Sequence, residues 1–69
     1  MYYVIELQTN DEAAAIVTTF GDIKEARSKY FNILEYACKS NVKKHGAVLL
    51  DENGFSIEPA RVFDHTVNK

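Results

Sequence analysis

The stretch KKHGAVLLDENGF, Lys43 to Phe55, decides the fold. Its apolar run, Ala47 to Leu50, is strand-length and stops at Asn53-Gly54, the dipeptide most typical of a two-residue hairpin turn. FSIE, residues 55–58, then reads as the return strand. Pro59 has no N–H to give to a ladder, so the strand ends there or lies at a sheet edge. The spacing predicts a strand over about residues 46–51 and its partner over about 55–58. The cationic lip Lys43-Lys44-His45 sits immediately before this hairpin.

Upstream, Ile23, Ala26, Tyr30, Ile33, Leu34 and Ala37 recur at helical spacing and form one apolar stripe. Asp22 is placed to cap the first turn, with Glu25 three residues on, a capping-box-like pattern. Ser40-Asn41 supplies a stop, because Asn tolerates the left-handed conformation. The helix is predicted over about residues 23–40. Before it, YYVIELQT (about 2–9) and AAIVTTF (about 14–20) are rich in β-branched and aromatic residues and are separated by Asn10-Asp11 turn chemistry. In the first strand Tyr3, Ile5 and Leu7 make a fully apolar face, while Tyr2, Val4, Glu6 and Gln8 make a mixed one.

The order is β-β-α-β-β in a single small α+β domain spanning residues 1–69, with 60–69 as a tail that resumes a short extended segment around Val62 and Phe63. A right-handed crossover gives a four-stranded antiparallel sheet of order 2-1-3-4 with one helix packed on one face. The opposite face lacks a cover. Tyr2 and Val4 are expected on that uncovered side, with Val17 of the second strand, as the interface of a homo-oligomer. A 69-residue core is marginal without such support.

Composition narrows the function classes. Eight basic and ten acidic residues leave a net charge of −2, without the positive excess of a nucleic-acid binder. The single cysteine, Cys38, excludes an intrachain disulfide, and the two histidines lack zinc-ligand spacing, so no metal and no cofactor are expected. A free thiol, no basic-apolar leader at Met1 and no membrane-length apolar run suggest a cytoplasmic protein.

Lys43, Lys44 and His45 form a candidate anion site, joined by Arg61 and by Tyr2 or Tyr3 as stacking surfaces. A helix C-terminus carries partial negative charge, which explains lysines beside it on structural grounds and makes it the wrong end for an anion. Cys38 lacks a neighbouring base and reads as a small residue at the edge of the helical stripe. Asp64 and His65 read as solvated tail. The acidic residues show no spacing that demands acid-base work, so an enzyme is not expected.

The opening YYVIELQTN and the pattern KY…IL.YA..S...KHGAVLL.E.GF, covering nearly the whole chain, resemble small uncharacterised open reading frames of Firmicutes and their prophages. That resemblance implies a phage or mobile-element accessory protein and brings no activity with it. The first half, YYVIEL followed by FGDIKEARSKYFNILEY, is similar in layout to the partial RNase-H-like domain of HicB-type antitoxins, without their Pro-Asp-Leu-Pro-Gly-Cys element. The resulting expectation is a non-enzymatic interaction module. It would act as a homo-oligomer in counter-defence, binding a host protein or sequestering a small anionic, nucleotide-like signal. The alternative is an antitoxin-like partner of a cognate protein, or a structural accessory protein. Nucleic acid and membrane are not expected as partners.

Overall fold

The computed structural model describes residues 1–66. Strands β1 (Tyr2–Thr9) and β2 (Ala13–Phe20) precede helix α1 (Ile23–Ala37), and strands β3 (Lys44–Asp51) and β4 (Ser56–Asp64) follow it. They form one sheet of order β2-β1-β3-β4 with every neighbour antiparallel. The helix packs on one side, so the α+β architecture and strand order expected from the sequence are those of the protein. Residues 67–69, the end of the expected tail, lie outside the described residues.

Helix α1 begins where Asp22, in an extended conformation, accepts a 2.9 Å hydrogen bond from the Lys24 N–H. It buries Ala26, Tyr30, Ile33, Leu34 and Ala37 against Val4 of β1 and Ala47 and Leu49 of β3. Tyr2, Phe20, Ile57 and Phe63 pack around this cluster. The Tyr30 hydroxyl donates to the Pro59 carbonyl at 2.6 Å, which lets a large ring be fully buried without orphaning its polar end. Burial, followed by the nearby Glu58 charge, pushes the Tyr30 phenol above its ordinary pKa, against a smaller opposing effect of Arg61.

The helix stops at Ala37, three residues short of the expected end. The Lys39 and Ser40 N–H groups turn back to the Tyr36 and Ala37 carbonyls in i→i−3 bonds, a tightened last turn that needs no left-handed Asn41. Gly54 (φ 87°) is the sole described residue with positive φ. The Asn53-Gly54 turn therefore differs from the two-residue form the sequence predicts, since Asn53 keeps negative φ. Asp51 instead anchors a longer loop. Its carbonyl accepts from Gly54 N–H at 3.1 Å, and its carboxylate accepts from the Asn53 and Phe55 N–H groups. Only the left-handed position demands glycine.

Strand β4 runs through Pro59 to Asp64, past the expected end at residue 58, so of the two readings of Pro59 the edge position is the one the chain adopts. Pro59 falls in the stretch where the β3–β4 register shifts between Ala47 and Leu49, at the outer edge of the sheet. A Cβ on Gly46 would run into the Arg61 carbonyl oxygen and approach Val62 Cα at 2.7 Å, so β4 closes onto β3 only over a glycine.

The sheet's two faces are assigned the reverse of the sequence expectation. Val4 is 1% exposed and Tyr2 packs on the core, so the mixed face of β1 is the one the helix covers. The fully apolar face, Tyr3, Ile5 and Leu7, points the other way. Register places Ala15, Val17, Val48, Leu50 and Val62 on that same side. The mixed face goes inward because its polar end, Glu6 and Gln8, meets His45 instead of the hydrophobic stripe.

Candidate functional site

Two features stand out, a polar cavity at one end of the helix and the uncovered sheet face. The cavity, about 500 Å³, opens between the C-terminal end of α1 and the distal ends of β1 and β3. Glu6, Gln8 and Asn10 form one wall, and Tyr36, Lys39, Ser40 and Asn41 the other. At its base lies His45, 2% exposed.

His45 Nε2 stands 2.7 Å from Glu6 Oε2, and His45 Nδ1 stands 2.8 Å from Ser40 Oγ. Burial alone would raise the Glu6 pKa. Hydrogen bonds from His45 and then Gln8, with the charges of His45 and Lys29, outweigh that and hold it below its ordinary value. An ionised carboxylate only accepts, so Nε2 carries the proton toward Glu6. Whenever the imidazole is neutral, Nδ1 accepts from the Ser40 hydroxyl. Gln8 Nε2 donates to the same Glu6 oxygen at 2.9 Å, and the edge of the Tyr36 ring faces His45 at 6.2 Å between centroids. The chain Ser40–His45–Glu6 thus ties the helix end to β3 and β1. No buried side-chain polar atom among the described residues lacks a partner, so the network is complete without a ligand.

The expected anion site does not assemble. His45 points inward beneath the helix. Lys43, beyond the helix end, is tied to the first hairpin: its N–H donates to Asn10 Oδ1 at 3.0 Å and its ammonium stands 3.3 Å from Asp11. The Lys43 ammonium thus has an exposed partner in Asp11 beside the helix end. Lys44 lies on the uncovered face opposite Asp64, and Arg61 on the helix side opposite Ala47. Tyr2 and Tyr3 are at the far end of the sheet, on opposite faces from each other. Of the residues expected at an oligomer interface, Val17 is on the uncovered face and 56% exposed, whereas Tyr2 and Val4 are on the helix side.

The start of the expected tail is docked by His65. His65 N–H donates to the Lys43 carbonyl at 2.7 Å, and its Nε2 donates to the Ala37 carbonyl at 2.8 Å. Cys38 is exposed and outside the core, with its thiol directed at the Glu35 carbonyl. Glu6 was missed as a partner of His45 because only the β1–β3 register brings them together, and Ser40 because its pairing depends on how the chain turns between the helix end and β3.

No protein-family model, curated protein or solved structure matches the chain. No helix among the described residues is long and apolar enough to cross a membrane.

Proposed function

We propose that the chain is a non-enzymatic interaction module that works as a homo-oligomer, with copies packed through the uncovered sheet face. The observation that carries this reading is the orientation of β1, whose fully apolar side, Tyr3, Ile5 and Leu7, faces away from α1. Val48, Leu50, Val17 and Val62 extend it across all four strands. Charge appears only at one corner, where Lys44 and Asp64 oppose each other within the same copy. A neutral, self-similar face meets no repulsion from its own twofold image. Four strands of about eight residues present roughly 500 Å² at ~4.8 Å strand spacing and ~3.3 Å rise. Two such faces in contact reach about the lower limit for a specific interface, so the expected dimer is a weak one.

The mobile-element resemblance supports counter-defence as the setting, through capture of a host protein. Dispersal of Lys43, Lys44 and Arg61, with His45 buried, argues against sequestration of a small anion. Sedimentation velocity tests the assembly. The mass is expected to rise above a single 7.8 kDa chain with concentration, and Val62→Lys, at a half-exposed position on the face, is expected to reduce it. A Val62→Lys mass profile identical to wild type would remove the reading.

A second reading rests on the order hydroxyl–imidazole–carboxylate in Ser40, His45 and Glu6, the order used in acyl transfer. It ranks below the first because the imidazole is buried and the network is already satisfied. Hydrolysis of an activated ester by the wild type, lost in Ser40→Ala, would establish it.

A further inference from the structure

We propose that the outer edge of β2 is a second self-contact. It pairs antiparallel with β2 of another copy and joins face-packed pairs into a closed assembly of four chains. This rests on the face-packing reading and adds an independent contact to it.

The two edges of the sheet are built differently. The β4 edge carries Pro59, register irregularities against β3, and the charges of Glu58, Arg61 and Asp64, all devices that discourage another strand from adding there. The β2 edge, AAAIVTTF, has no charge and no proline, and it keeps an unbroken eight-residue register with β1. It is a full-length, regular strand with an unprotected outer ladder.

Ile16 and Val17 then become diagnostic. They are consecutive, lie on opposite sides of the sheet, and are 52% and 56% exposed. Face packing covers Val17 alone. Ile16 is on the helix side, but α1 sits over β1 and β3 and leaves the residues from Ala13 to Val17 exposed. A strand added at the edge shields both.

The sequence of β2 suits its own copy. A twofold axis normal to the sheet keeps each side chain on its own side, so paired positions share parity. Centred on Val17, such pairing sets Val17 against Val17. It puts Ile16 opposite Thr18, Ala15 opposite Thr19 and Ala14 opposite Phe20. Small residues meet larger ones and β-branched residues meet each other, with no charge placed in the ladder. A charged foreign strand finds nothing on β2 to match, which favours the second copy. The edge axis is normal to the sheet; with a face-packing axis that runs across the strands, so that β2 stacks on β2 and the two axes meet, the assembly closes at four chains.

Light scattering on wild type, Ile16→Lys and Val62→Lys tests this, with far-UV circular dichroism confirming that each variant is folded. Both substitutions are at half-exposed positions of the single chain. The wild type is expected at four times the 7.8 kDa chain mass, and each variant at twice it. In a Cys38→Ser background, Val17→Cys is expected to form a disulfide-linked dimer on mild oxidation, because directly opposed residues lie within bridging distance. A wild-type dimer unaffected by Ile16→Lys but broken by Val62→Lys would overturn the edge contact and leave face packing standing. A dimer broken by Ile16→Lys and unaffected by Val62→Lys would support the edge and overturn face packing. A monomeric wild type would overturn both.

Discussion

Single residues set the limits of this fold in places that composition does not show. Gly46 is the sharpest case, because any side chain there meets the β4 backbone and backbone cannot swing aside. Gly46→Ala is expected to cost about 3 kcal/mol, an overpacking penalty at the upper end of the usual range, read as a lowered urea midpoint. Glu6 governs the acid limb of stability. Its pKa is lowered in the folded protein, so its contribution is fully present above the ordinary carboxylate value of 4.5 and is lost as pH falls through the folded value. A urea-midpoint series below pH 4.5 is expected to fall more steeply for wild type than for Glu6→Gln. His45→Ala leaves that carboxylate without its main partner and is expected to destabilise by about 1–3 kcal/mol at neutral pH, measured by the same denaturation.

At the scale of elements, local signals and long-range ones fared differently. Asp22 was legible as a cap because it acts on a backbone group two residues away. Asp22→Ala is expected to cost about 1 kcal/mol of thermal stability, while Ser at that position should preserve it. The helical stripe was legible for the same reason, since periodicity is local, while the strand order followed from the right-handed crossover rule. The extended segment around Val62 and Phe63 was legible, but its continuity with β4 through Pro59 was not, because that involves a register shift against β3 and the Tyr30 hydroxyl bonding the Pro59 carbonyl. Which face of β1 turns inward was also hidden. A fully apolar face is the natural choice for a core, and only the encounter of Glu6 with His45, thirty-nine positions away, makes the mixed face the buried one. The candidate site shares that limit, since Glu6 reaches His45 and completes the chain with Ser40 only once β1 lies beside β3.

At the scale of the molecule, the described helix and strands make two layers where the side chains call for three. The core of Val4, Tyr30, Leu34, Ala47 and Leu49 accounts for one side of the sheet. Tyr3, Ile5, Leu7, Val48 and Leu50 account for a second apolar surface that no described element covers. Burying it against a copy exchanges apolar contact with water for apolar contact with protein, the same gain that holds the helix to the sheet. Small-angle X-ray scattering in solution tests this most directly, because forward scattering gives the mass and the low-angle slope gives the size. The account expects a particle of two or more chains at tens of micromolar, with a radius of gyration clearly above the 12.1 Å of one copy. A particle of 7.8 kDa with a radius near 12.1 Å would contradict it.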